Sequence, residues 1–420
     1  MKAGILKPLT FRPFRSLFGA QVFSDLGNWL DLIALQVIVA YHWGLDETAI
    51  AAVIITLGLP WVIIGPFASV FVDRLPKKQV MIVCLLFRIV FVGGLFFSPN
   101  LYFLLFFVFL KGIFAAVYDP ARQSTIRLTI PEKHLPEAVT LSQLSANTMK
   151  IAGPAIGGSI IGLFGAKSPF LFEAAGFFIA ILFLLTLANV DEKESDTPVR
   201  SENNGYWKEL TEGMKHIAKT PLLRTSVILS SVAFFIIFLY DGLFVFIAQK
   251  LGFSEGDFGL LISAVGLGSV AGSLFMGNWT RWKRKPIHVM SSAFLFSGSF
   301  IILMGLGSMG MIRFPPLAWG FAAFLLGFMA SGESAPYGYI LQSETPKQMM
   351  GRVSAAAASL QTFCMLMAPA AGALLAKWIG VSHVLVGAGG ATCFMAAFVL
   401  LVIVRKFNLQ KAIQEKHFQT

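Results

Sequence analysis

The chain has 420 residues, of which 56% are apolar and 13% charged, and its net charge is +11. A typical globular domain carries about 25% charged residues, so too few polar side chains remain here to cover a water-facing surface. A soluble enzyme, a nucleic-acid binder and a disordered scaffold are excluded, and a polytopic all-α membrane protein is indicated. The three cysteines, Cys84, Cys364 and Cys393, lie in apolar runs and form neither a metal-binding spacing nor a disulfide framework. No metal and no cofactor is expected.

A spanning helix needs about 20 mostly apolar residues, and the chain offers twelve such runs. The first six cover 17–42, 48–72, 79–98, 101–121, 137–164 and 168–188. The second six cover 222–249, 256–280, 286–308, 315–341, 352–378 and 382–404. Residues 1–15 are basic and read as a cytoplasmic tail, because no small-residue cleavage site follows a short apolar core. Of the 33 Lys and Arg residues, twenty-six fall on one side of these spans and four on the other. That bias puts both termini and the central loop in the cytoplasm of a cell-membrane protein. It also accounts for the net charge without nucleic acid.

Three segments follow: a six-span bundle over 1–188, a cytoplasmic linker over 189–221, and a second bundle with its tail over 222–420. The linker begins Asp191-Glu192-Lys193-Glu194, a solvated run. It ends in an amphipathic helix, where Trp207, Leu210, Met214 and Ile217 recur every three to four residues. That helix is expected to lie along the membrane surface. The two bundles repeat. Pro154 recurs as Pro369 and Pro131 as Pro346 at an offset of 215, and Asp25 recurs as Asp241 and Pro120 as Pro336 at 216. Duplication of a six-helix unit around a midplane site is a transporter architecture.

The loop after span 2 reads Asp73-Arg74-Leu75-Pro76-Lys77-Lys78. It resembles the signature loop of the major facilitator superfamily, with Ser69 and Pro76 where that signature carries glycines. Span 5 holds Gly153-Pro154 and then Gly157-Gly158, similar to the motif of drug–proton antiporters in that superfamily. Tyr118-Asp119-Pro120-Ala121-Arg122 resembles its macrolide-efflux branch, which also holds siderophore exporters and lysophospholipid flippases. The resemblance covers the whole chain. It implies twelve helices in two pseudo-symmetric bundles and no enzymatic activity. It also implies a central cavity lined by spans 1, 4, 7 and 10. Asp73, Arg74 and Lys78 would form a latch between helix ends, which biases an equilibrium between inward-open and outward-open forms. Gly153 and Gly157 share one face and allow close helix approach, and Gly268 and Gly272 of span 8 offer a similar face. Pro154 permits a bend.

An ionisable residue at the bilayer centre costs about 2.5–3.5 kcal/mol or more. Spans 1, 4, 7 and 10 hold five: Asp25 and Asp31, Lys111, Asp241, and Glu333. At about 1.5 Å per residue, Asp31 and Lys111 lie roughly 16 and 15 Å from the outer ends of their spans. Equal depth makes them a candidate buried pair at the substrate cavity. A carboxylate without a nearby cation in a low-dielectric cavity can take up a proton on one side and release it on the other. Asp241 and Glu333 have no basic residue nearby in their own spans and are the first candidates for this role, with Asp25 third. Arg88 reads as snorkelling or pairing with a carboxylate, Lys150 as meeting Asp25 or another acid, and Asp119 as pairing locally with Arg122. Glu173, near the outer end of span 6, is expected to reach the interface.

Trp29, Phe238, Tyr240 and Tyr337 are candidate cavity aromatics suited to bulky lipophilic or cationic substrates. Most of the other aromatics on these spans are expected to pack helices. The expected partners are a small lipophilic or amphiphilic substrate, protons and the lipid bilayer, with no nucleic acid and a monomeric state. The expected activity is proton-driven export of drug-like compounds. A lysophospholipid or siderophore cargo is one alternative, and a non-transporting receptor or scaffold is another. No Walker-type phosphate loop is present, so ATP is not the expected energy source.

Overall fold

A computed structural model describes residues 6–65, 68, 72, 75–187, 206–346 and 349–403. The described residues are almost wholly helical, with no strand among them. The chain divides into two compact units, Met1–Val199 with Ser254–Ser263 and Arg200–Phe253 with Ala264–Thr420.

The first unit contains α1 (Arg12–Val37), α2 (Glu47–Ile63), α3 (Lys77–Phe96), α4 (Leu101–Thr129), α5 (Leu135–Phe164) and α6 (Ser168–Thr186). A π turn, Ile38–His42, prolongs α1. The second contains α7 (Tyr206–Lys219), α8 (Pro221–Asp241), α9 (Phe244–Lys250), most of α10 (Glu255–Asn278), α11 (Pro286–Ser308), α12 (Pro316–Ser343), α13 (Met350–Ile379) and α14 (Val381–Phe398). Among the described residues, ten helical segments are long and apolar enough to cross a membrane, and α2 and the apolar end of α5 are shorter. Together they match the twelve expected spans, with one correction. The seventh span is not continuous: it breaks after Asp241, and Gly242 and Leu243 form a turn before α9 begins.

Local chemistry explains the helix ends. Asp46 and Asn100 accept hydrogen bonds from the amides of Ala49 and Phe103, both at 3.2 Å, as N-caps do. Ser254 and Asp257 form a reciprocal capping box at the start of α10. The duplication is visible in the backbone. Both α5 and α13 have 30 residues, carry an internal proline, and end at a left-handed glycine, Gly165 (φ +86°) and Gly380 (φ +85°). A side chain would be strained at either position.

In the first unit α1 packs on α5 and α6, α3 on α4 and α6, and α2 on α4. In the second, α11 packs on α12 and α14, and α13 on α8. The core of that unit gathers Leu223, Val227, Met290, Phe294, Ile340 and Val353. Large apolar side chains also point outward, among them Leu163, Leu317, Trp378, Phe394 and Leu401. Such a surface is at home in lipid, where each helix satisfies its own backbone bonds.

The amphipathic α7 forms where its spacing predicts, but protein takes up much of its apolar face. It packs along α13, with Gly213 against the backbone of Arg352. Ile217 is buried with Val353 and Ala356, Leu210 packs on the same cluster, and Met214 remains exposed. Arg352 donates to Glu212 at 2.7 Å, and His216 bonds the carbonyl of Glu344 at 3.1 Å. The side chain of Trp207 lies outside the described residues.

Candidate functional site

Two charged centres stand out, one in each unit. In the first, α1, α3, α4 and α6 bring four ionisable side chains into the interior. Lys111 on α4 donates to Asp31 on α1 and, at 2.9 Å, to Glu173 on α6. Exposure is 1% for Asp31, 4% for Lys111 and 0% for Glu173. The Asp31–Lys111 pair expected from equal depth is therefore present, with a third member. Glu173 does not reach the interface as expected. It lies against Gly27 of α1, where an added Cβ would come within 3.3 Å of its Cγ. Arg88 on α3 is fully buried and does not snorkel. Its guanidinium lies 3.9 Å from the centre of the Phe177 ring and donates to Asn28 and Ser24. Burying so much charge is tolerable only because the groups answer one another.

A polar chain in the same unit runs through Asp25. Gln21 donates to Asp25 at 3.0 Å and to the carbonyl of Ser142 at 2.9 Å, and the Ser142 hydroxyl donates back to Gln21 at 2.7 Å. Arg122 donates to Ser142 at 2.9 Å and to Asp119 at 2.5 Å, so the expected local Asp119–Arg122 pair exists. Asp25 is thus half-buried within reach of the Arg122 charge. The side chain of Lys150 lies outside the described residues.

The centre of the second unit is different in kind. Glu333 on α12 is half-buried and accepts one hydrogen bond, 2.6 Å from Ser297 of α11. Asp241 ends α8 at the break in the seventh span, where the Leu243 amide donates to the Tyr240 carbonyl at 2.9 Å and the regular helix stops. Among the described residues no cation acts on either carboxylate. Tyr240, largely buried, feels both charges. Irregular backbone at membrane depth occurs where it is buried in protein or lines a water-filled cavity.

Of the other expected site residues, Trp29 is half-buried with its Cβ against Gly153. Phe238 packs on Phe234 at 5.8 Å, and Tyr337 packs on the core of the second unit. Phe23 stacks on Phe183 and Phe328 meets Phe275, so these rings pack helices as expected. Gly153 and Gly157 seat α5 on Trp29 and Leu30 of α1, Gly158 meets Gly259, and Pro154 is half-buried within α5. Gly268 and Gly272 likewise seat α10 on the backbone of Phe324 and Phe328. Asp73 and Arg74 of the expected latch lie outside the described residues. Lys78, its third member, donates to the carbonyls of Leu185 at 3.3 Å and Leu187 at 2.6 Å at the end of α6.

Sequence reasoning missed Glu173 as a partner of Lys111 and missed the break at Asp241. The available signals were a lone acid in an apolar run opposite Gly27, and the dipeptide Asp241-Gly242.

The sequence profile of the Major Facilitator Superfamily matches residues 17–369 and 227–418. The chain is 25% identical over 398 residues to an uncharacterized MFS-type transporter, YfiS, of Bacillus subtilis, covering 93% of this chain and 92% of the relative. It is 27% identical over 343 residues to the multi-drug resistance efflux pump PmrA of Streptococcus pneumoniae, covering 80% and 82%. It is 26% identical over 416 residues to the enterobactin exporter EntS of Shigella flexneri, covering 95% and 94%. With ten membrane-length helices and two shorter apolar ones among the described residues, a duplicated six-helix unit and a profile that runs through both copies, the chain belongs to the Major Facilitator Superfamily.

Proposed function

We propose that the chain is a secondary active exporter of the cell membrane that uses the proton gradient to extrude lipophilic or cationic drug-like compounds. Both termini and the α7 segment face the cytoplasm, as the distribution of Lys and Arg favours. One observation carries this reading: the seventh span breaks at Asp241, and Glu333 of the same unit also lacks a cation. A carboxylate without a counter-ion at membrane depth is a natural proton carrier, and a broken helix exposes backbone groups to a substrate or ion. Protons entering from outside neutralise Asp241 and Glu333 and favour release of the cargo. The likeness to PmrA supports the drug class. The likeness to EntS favours a second reading, a siderophore-type metabolite on the same mechanism.

The test uses inside-out vesicles with an imposed pH gradient and a panel of lipophilic cations, macrolides, lysolipids and siderophores. A compound that dissipates the gradient in the wild type but not in Asp241→Asn/Glu333→Gln identifies the cargo class and the coupling residues together. Equal proton flux in the double variant removes both carboxylates from the mechanism.

A further inference from the structure

The transport scheme above leaves the buried charges of the first unit unused. Their hydrogen bonds do not balance. Lys111 is one ammonium serving two carboxylates, Asp31 and Glu173. The second oxygen of each, Asp31 Oδ1 and Glu173 Oε2, is buried with no donor. Arg88 does not complete the set, because its described hydrogen bonds go to Asn28 and Ser24 and its Nε has no acceptor. A buried carboxylate oxygen without a donor is costly. Binding a proton removes the charge and leaves an acid that needs fewer donors.

Nor does the fold require charge at these positions. At the offset of 216 that relates Asp25 to Asp241 and Pro120 to Pro336, Lys111 corresponds to Gly327, and at the 215 that relates Pro154 to Pro369, Glu173 corresponds to Ala388. At 216, Arg88 corresponds to Met304 and Asp31 to Ile247. All four counterparts are uncharged. Ala388 is buried, and Gly327 lies against the backbone of Val265. Met304 and Ile247 are fully buried. The second unit fills these positions without charge. The first unit carries charge that packing alone does not explain.

Between the two carboxylates, the geometry favours Glu173 as the one that changes state. Lys111 donates to both, so either carboxylate can keep the ammonium when the other lets it go. Glu173 also sits in the α1–α6 seam itself, beside Gly27 and Phe177. A displacement of α1 against α6 therefore alters its distance from Lys111. The charged groups that act on it are Asp31 from α1, Lys111 from α4 and Arg88 from α3.

We propose that Glu173 is a second proton-binding residue of the transport cycle, separate from Asp241 and Glu333. It alternates between a carboxylate bonded to Lys111 and a carboxylic acid that leaves the ammonium wholly to Asp31. The step is the binding of one proton to a Glu173 oxygen and its later release. Lys111 stays protonated throughout. This inference rests on the proton-coupled reading for its place in transport, but the protonation of Glu173 is testable without it.

The experiment is infrared difference spectroscopy of the purified full chain in lipid across a pH titration. The background is the Asp241→Asn/Glu333→Gln variant, which removes the two carboxyls of the second unit's candidate site. A protonated-carboxyl band is expected that disappears in Glu173→Gln and shifts in Glu173→Asp. In proteoliposomes, Glu173→Gln in the otherwise wild-type chain is expected to lose pH-gradient-driven movement of tetraphenylphosphonium. It is expected to keep exchange of that cation at zero gradient. A band unchanged in Glu173→Gln overturns the proposal, and so does wild-type gradient-driven movement. If Glu173→Gln does not fold, the Glu173→Asp spectrum decides, and a band that does not move overturns the proposal. If the wild type moves no cation at all, the export reading is what fails, and the infrared band still decides the role of Glu173.

Discussion

In the first unit, Asp31, Lys111, Glu173 and Arg88 are at most 4% exposed, and each has a partner among polar or aromatic groups of the unit. In the second, Asp241 and Glu333 face no cation among the described residues, and the counterparts of the first unit's four charges are uncharged. Two copies of one helical plan have thus been given opposite electrostatics. A charge that is answered holds helices together and is destabilising to remove. A charge that is not answered adds little to the fold and is free to titrate. In the first unit the proposed exception is Glu173, which shares its one cation with Asp31.

The largest effect expected from this contrast is at Lys111. Lys111→Met leaves two buried carboxylates on α1 and α6 without their common donor. Breaking a buried ion pair in this way costs about 3–5 kcal/mol, so thermal unfolding of the detergent-purified protein should shift far down. The triple variant Asp31→Asn/Lys111→Met/Glu173→Gln removes the charges together and should recover most of that loss. A single variant as stable as the wild type would break the comparison.

The second unit should resist what the first requires. At Gly389 an added Cβ would lie 2.6 Å from the Gly298 carbonyl and 2.8 Å from Ile302. Overpacking of this kind costs about 1–3 kcal/mol, so Gly389→Ala should lower the unfolding temperature without changing the surface charge. A neutral result would mean that the α11–α14 seam has slack.

Asp241→Asn and Glu333→Gln should behave in the opposite way to Lys111→Met. Removing a carboxylate that has no counter-ion takes away no attraction, so folded yield and unfolding temperature should stay at or slightly above wild type. Proton flux driven by substrate should fall to that of empty vesicles. A large loss of stability in either variant would show that an unseen partner answers the charge.

How much of this was legible in the sequence depended on what each feature rests on. The spans follow from apolar runs, and the Asp31–Lys111 pair from depth, because a helix converts residue number into distance at a fixed rise. The repeated prolines and the glycines of α5 carried the duplication and the close packing. Glu173 was misplaced because depth along its own span says nothing about its lateral neighbours. The long Lys111 side chain reaches it, and the missing side chain at Gly27 gives it room. The break at Asp241 was only faintly marked, by the dipeptide Asp241-Gly242. A single glycine after an acid is tolerated in many helices, and only tertiary contacts decide whether the helix continues.

The smallest expected effect sharpens the comparison from its exposed end. Glu212 of α7 and Arg352 of α13 form an ion pair 2.7 Å long, with side chains 34% and 35% exposed. The contact resembles Lys111–Glu173 in geometry, yet water reaches both groups. Pairs of this kind couple by about 0–1 kcal/mol, so a double-mutant cycle of Glu212→Ala and Arg352→Ala should yield no more. The coupling should weaken as salt is added, while the stability lost in Lys111→Met should be insensitive to salt. If the α7–α13 pair coupled as strongly as the buried one, burial would not be what separates the two kinds of charge in this protein. The docking of α7 would then rest on the ion pair instead of on Ile217 and the close approach at Gly213.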